Sequence, residues 1–420
     1  MSQQPMQPVQ PGWAPYGGPY YAPPLPPSRL PVVDSEYHHF WRTPAWRWWR
    51  PAVGLLAFGF LFFVIQLVVL LVAVAIDAST GRVSVSDFLD DATRGIVRAT
   101  PVFFLSNNVG LGLLIPVSLL LGWWLFGQRP KWLSSVVGGI RWRWLLRCTL
   151  VLLPLWLVYL AFDSYMIYRA DGTLGLEANA DTWLLLIGIL LTTPFQAAGE
   201  EYAFRGFLAR SASSFFPWAR VGLVVSMVFS STLFMFAHGA GDPWLNLFYF
   251  SFGLVASIMT WWTGGLEAAI AMHVVNNVLS ELVLPFQDIS GMFDRSAGVA
   301  DAQVLIGVAV PMVGLGLIMW QAKRHHIVRT SAPARGQDQL PGGTPPHGPP
   351  GAQQWPTPPP PAPRRGPFQD FPPPGQGWRP PPLPPTPMQT TVDDGRRTRE
   401  GHGVRRWLPG GATTDRTLLT

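Results

Sequence analysis

Glu200, Glu201 and Arg205 lie in the stretch AGEEYAFRGFL, residues 198–208, at the end of an apolar run that reads like a membrane span. A charged group at membrane depth costs at least ~2.5–3.5 kcal/mol, so something must compensate it. Helical spacing sorts the three. Glu201 and Arg205 are four apart, share a face and can pair. Glu200 is turned about 100° from Glu201 and faces another way. One acid is thus neutralised by the arginine, and the other is left for something else.

The histidines narrow the choice. Of eight, His38, His39, His325, His326, His347 and His402 lie in the tails or beside them, and His238 and His273 fall in apolar runs. His238 sits in STLFMFAHGAGDP. His273 sits in EAAIAMHVVNNVLS, four residues before Asn277, so these two share a helix face. Two histidines, an asparagine and a spare glutamate on three spans can satisfy one another when buried. They are also the residue types that bind and activate a water. Glu281, four beyond Asn277, either extends this set or sits near the headgroups. The chain has no G-x-S-x-G elbow, no Gly-rich phosphate loop and no H-E-x-x-H helix. Its single cysteine, Cys148, lies in an apolar run and reads as a packing residue.

The elements that must position these groups are membrane helices. The 420 residues are 48% hydrophobic and 13% charged, about half the charged share of a soluble domain. Apolar runs lie near 51–76, 101–126, 145–168, 183–205, 219–238, 244–262, 266–285 and 302–321. Most are about 20 residues, the length a helix needs to cross the hydrocarbon. Period-2 alternation is absent, which argues against a membrane β-barrel. The fold class expected is all-α: a polytopic membrane protein of about eight transmembrane helices with disordered Pro-rich tails. The core is 41–324, with the chemistry-bearing motifs in 195–280. Residues 1–40 and 325–420, rich in Pro and Gly, are expected to be disordered, with proline-motif-binding proteins as partners the tails could take. Ser106, Asn107 and Asn108 read as helix–helix hydrogen bonding rather than cavity lining. No cleavable signal peptide is expected, because the first apolar run begins near residue 51.

The net charge of +6 comes from arginines that flank apolar runs, which points to a membrane surface and not to nucleic acid. Alternate connections differ in sign. Arg42, Arg47 and Arg50, then Arg129, Lys131, Arg141, Arg143 and Arg147, then Arg205, Arg210 and Arg220, then Lys323, Arg324 and Arg329 mark one side. Asp77, Asp87, Asp90 and Asp91, then Asp171, Glu177 and Asp181, then Asp288, Asp294 and Asp301 mark the other. Basic loops stay cytoplasmic, so a multi-pass cell-membrane protein with both termini in the cytoplasm is expected.

Glu200-Glu201-x-x-x-Arg205, Phe234-x-x-x-His238 and His273-x-x-x-Asn277, in that order and each on its own span, resemble the three signature motifs of the CPBP family. These are the CAAX proteases and bacteriocin-processing enzymes, intramembrane endopeptidases related to the type II CAAX prenyl endopeptidase. The resemblance covers roughly residues 145–285. It implies hydrolysis of peptide bonds in membrane-associated peptides or proteins, with membrane lipids as surroundings. It implies Glu200 as the general base, His238 assisting it, and His273 with Asn277 at the oxyanion. Glu201, Arg205 and Phe234 would be structural or bind substrate. Family members are commonly called metalloproteases, and Glu200, His238 and His273 have the donor mix of a His₂Glu zinc site. A metal-free, glutamate-dependent mechanism is equally consistent. Two rival readings are an inactive membrane scaffold recruiting partners through its tails, and an ion- or proton-coupled transporter.

Counting residues along the spans raises one difficulty. Glu200 falls near the cytoplasmic end of the fourth span, whereas His238 falls near the outer end of the fifth. Either the fourth helix runs on to about residue 212, with Glu200 at mid-depth, or the fifth starts later or is displaced.

Overall fold

Among the described residues, eight helices of 19 to 33 residues are long and apolar enough to span a membrane. They belong to a computed structural model that describes residues 26–335 apart from 95, 97, 98, 291 and 294. Most of both proline-rich tails, 1–25 and 336–420, lies outside the described residues, and so does the expectation that they are disordered. The spanning helices are α1 (Trp49–Ser79), α3 (Pro101–Phe126), α4 (Trp142–Asp171), α5 (Thr182–Ser214), α6 (Ala219–Ala237), α7 (Pro243–Thr263), α8 (Glu267–Phe286) and α9 (Val304–Arg324). A short α2 (Val85–Thr93) joins α1 to α3, capped by the Ser84 hydroxyl on the Asp87 amide.

Burial separates the lipid face from the core. α1 leaves Phe60, Phe63 and Leu71 exposed, as a helix bathed in hydrocarbon should. α5, α7 and α8 hold the centre, with α3 against α5, α4 and α5 against α8, and α6 and α9 against α7. Cys148 packs in this core with no exposure, as its apolar setting suggested.

The fourth span resolves the depth difficulty. α5 is one rod of 33 residues, so Glu200 lies past its middle and not at its end. Close packing holds it there. A Cβ on Gly199 would stand 2.1 Å from the Leu111 carbonyl oxygen, so only glycine lets α5 approach α3 at this level.

The tail boundaries need correction. Residues 35–40, placed in the first tail from its proline content, are folded onto the bundle together with Trp41. Ser35 and Glu36 pair antiparallel with Ser331 and Thr330, residues given to the second tail. Tyr37, Phe40 and Trp41 are buried, and the Tyr37 hydroxyl donates to the Leu133 carbonyl at 2.5 Å. The physical reason is local composition: SEYHHFW carries enough aromatic surface to fold where the proline-rich flank cannot. Burial pushes His38 down to about 4, leaving a neutral ring bonded to the Ala219 carbonyl.

Two arginines counted as loop charges are core residues. Arg205 and Arg210 are 1% and 0% exposed. Arg210 donates to the Trp132 carbonyl and lies 3.7 Å over the Tyr37 ring. The connection after α5 is therefore marked only by Arg220 of that trio. The other basic connections keep their sign, so fusions of a topology reporter at residues 85, 135, 175 and 295 should alternate in location. An extracytoplasmic signal at 135 would refute the orientation.

Candidate active site

Helix α5 carries Thr193, Gln196 and Glu200, spaced three and four apart, on one face. Helix α8 carries His273, Asn277 and Glu281, spaced four and four. Running antiparallel, the two faces meet in three rungs. His273 Nε2 stands 3.8 Å from Glu200 Oε2. Asn277 Nδ2 donates to Gln196 Oε1 at 3.0 Å. The Thr193 hydroxyl donates to Glu281 Oε2 at 2.6 Å. Gln196 closes the ladder lengthwise by donating to Glu200 Oε1 at 2.6 Å.

The ladder is braced from both sides. Asn108 of α3 donates to the Thr192 and Thr193 hydroxyls at 3.1 and 3.0 Å. Asn276 donates to Asn277 Oδ1 and accepts from the Trp156 indole. The first turn of α8 is pinned by Arg141, which grips Glu267 through Nε and Nη2 at 2.8 and 2.7 Å.

Glu201 does more than neutralise its neighbour. Its Oε1 accepts from Arg205 Nη1 at 3.0 Å, as the four-residue spacing predicts, and also from His273 Nδ1 at 2.8 Å. A carboxylate only accepts, so His273 carries a proton on Nδ1 and turns Nε2 toward Glu200. The two adjacent glutamates thus address opposite edges of one imidazole. Immediately after them the rod widens into a π-helical stretch, Tyr202–Leu208, a local geometry that recurs at functional sites. Arg205 lies in it, 4.4 Å over the Phe234 ring.

Phe234 is a packing hub. Its ring is 5.8 Å from His273, 4.5 Å from His238 and 5.3 Å from Phe204. His238 ends α6, its Nδ1 bonded to the Phe234 carbonyl at 2.7 Å and its ring stacked 3.9 Å from Tyr249. No hydrogen bond joins it to Glu200; Phe234 stands between His238 and His273. The structure therefore brings Glu200, Glu201, Arg205, His273 and Asn277 into one network and leaves His238 one ring away.

Among the described residues, no group of three His, Cys, Asp or Glu side chains is placed to hold a metal ion. In the mixed set Glu200, His238 and His273, both histidines spend Nδ1, on Glu201 and on the Phe234 carbonyl, and keep Nε2 free, the arrangement a metal-bound histidine also adopts.

Gln196 and Thr193 escaped the sequence reading. Their signal was present: three polar residues at helical spacing inside an apolar run. Glu281 belongs to the ladder and extends the site. Asn108 makes the helix–helix bonds expected of it, and Asn107 accepts from Gln66 at 3.4 Å.

Residues 182–279 match the family model described as type II CAAX prenyl endopeptidase, Rce1-like. The match runs from the start of α5 through His273 and Asn277 and stops short of Glu281. Over 160 residues the chain is also 28% identical to the uncharacterized protein YyaK of Bacillus subtilis strain 168. That stretch is 35% of this chain and 52% of the relative, so the chain spans about half the relative's length. No solved structure matches. The resemblance carried by the three motifs and the Rce1-like match agree. At the level of the family they support an intramembrane CAAX-type endopeptidase in a multi-pass membrane protein.

Proposed function

We propose that the protein hydrolyses peptide bonds of membrane-associated peptides or proteins with a water that Glu200 deprotonates. The observation that carries this is the state of the Glu200 carboxylate. Its Oε1 is held by Gln196, while Oε2 is buried without a hydrogen-bond partner and faces His273 Nε2 across 3.8 Å. That gap is too long for a direct hydrogen bond. In the proposed step the water sits against Oε2 and gives it a proton as its oxygen attacks the carbonyl carbon. His273 Nε2, when protonated, and the second N–H of Asn277 Nδ2 donate to the oxyanion. Glu200 then passes the proton to the leaving amine, and the peptide bond breaks into an acid and an amine. Glu201 and Arg205 hold the ring in place. His238 assists Glu200 with substrate bound, since catalytic hydrogen bonds often tighten only in the complex.

The test is cleavage of a membrane-tethered peptide library by the purified full chain, set against Glu200→Gln. No cleavage of any peptide by the wild-type chain would refute the reading.

The chemistry we propose uses no metal. Turnover should survive exhaustive chelation, and preparations should hold well under one equivalent of zinc. Loss of turnover on chelation, restored by zinc alone, would overturn it.

A further inference from the structure

Away from the ladder, α1, α2 and α3 line a cleft of about 430 Å³. Val69, Leu70 and Val74 of α1, Phe88 and Ala92 of α2 and Phe103 of α3 form apolar walls. Phe88 and Ala92 are four apart, so α2 turns one face into the cleft. Of its polar groups, Asp77 and Thr100 stand at one end and Gln66 and Asn107 at the other, about 16 Å further along α1 by the helical rise, and α2 adds a second carboxylate, Asp91.

Asp77 was read from the sequence as a loop acid. It is instead the third-last residue of α1 and 4% exposed. Its Oδ2 accepts from the Thr100 hydroxyl at 2.5 Å, and its Oδ1 is buried without a partner. Among the described residues, no lysine or arginine lines the cleft. Of the described cations nearby, Arg82 is bidentate on Asp181 at 2.6 and 2.8 Å and reaches Asp77 only through its charge, and Arg94 pairs with Asp90. A carboxylate at the edge of a membrane core demands compensation, and one hydroxyl is a weak one.

We propose that this cleft binds a membrane lipid with a primary-amine headgroup, one acyl chain between α1 and α3 and the ammonium on Asp77 Oδ1. Charge complementarity selects the head. An ammonium offers three N–H donors to a carboxylate, a quaternary amine offers none, and a glycerol head carries no cation. The walls select the chain, because they are apolar along the length of a helix that is itself lipid-facing. The amphipathic α2, with Val85 and Leu89 exposed, lies over the cleft as an interfacial helix would.

The experiment reconstitutes the full chain in bilayers of equal phosphatidylethanolamine, phosphatidylcholine and phosphatidylglycerol with matched acyl chains. The protein is extracted, and the lipids it retains are identified by mass spectrometry. The wild-type chain should enrich phosphatidylethanolamine about tenfold, the worth of one charge-assisted hydrogen bond. Asp77→Asn should return the retained lipid to the bilayer's own proportions. Val74→Trp, which fills the cleft and leaves Asp77 in place, should lower it, and decides the matter if Asp77→Asn fails to fold. Equal retention of the three headgroups by the wild-type chain means annular lipid only and overturns the proposal. So does an enrichment that Asp77→Asn and Val74→Trp leave unchanged. Preferential retention of a co-purified basic peptide at the cleft would overturn it too.

Discussion

Glu200→Gln should leave a folded, normally expressed protein that has lost peptide hydrolysis by ~10²–10⁴-fold, the usual cost of removing a general base. The substitution is nearly isosteric. Gln196 can still donate to the Oε1 position, so the lengthwise bond of the ladder survives. What disappears is the acceptor at Oε2, the buried oxygen that has no partner in the resting protein. A glutamine there cannot take a proton from water at neutral pH. Removing a buried carboxylate should, if anything, relieve a desolvation cost, so stability should hold or rise slightly. The comparison is turnover on a membrane-tethered peptide beside yield and the thermal midpoint. Near-normal turnover in Glu200→Gln would remove this residue from the chemistry. A collapse of yield would make it structural. Gln196→Leu is the companion variant: it keeps both glutamates, frees Oε1 and unpairs Asn277, and a smaller loss of turnover is expected of it.

Much of the architecture was legible because it depends on one-dimensional properties. A span is a run of apolar residues of fixed minimum length, so all eight could be read from hydropathy. The pairing of Glu201 with Arg205 was legible for the same reason, since it lies within one helix and follows from the 3.6-residue turn. The three rungs were not. They depend on the register between α5 and α8, and nothing in either helix alone says that Gln196 meets Asn277 or that Thr193 meets Glu281. The second bond of Glu201, to His273, is likewise a contact across 72 positions. Spacing alone made the glutamates face apart, yet both reach the same imidazole because a histidine has nitrogens on two edges. The mistaken tail boundary has another origin. Composition averaged over a proline-rich segment hid the short aromatic stretch at 35–41, and burial is decided by the stretch.

Glu201→Gln should be the most damaging single change in the core. Glu201 is 0% and Arg205 1% exposed, so neither charge has water to fall back on. Stranding one partner of such a pair costs ~3–5 kcal/mol, a large share of a membrane domain's margin. Arg205 already has two nitrogens, Nε and Nη2, without partners, which leaves it little to lose before the cation is uncompensated. The double variant Glu201→Gln with Arg205→Met should recover part of the stability, because both charges go together. It should not recover turnover, because His273 Nδ1 still lacks its anionic acceptor and the ring is free to turn Nε2 away from Glu200. That split distinguishes two roles. If Glu201 only balances Arg205, the double variant regains activity along with stability. If Glu201 also aims His273, the double variant is stable and slow, with a pH–rate profile displaced from wild type. Thermal midpoint, yield and the pH dependence of kcat/KM, measured for the single and double variants, decide between them. A Glu201→Gln protein as stable as wild type would show that the buried cation is compensated by something other than this carboxylate.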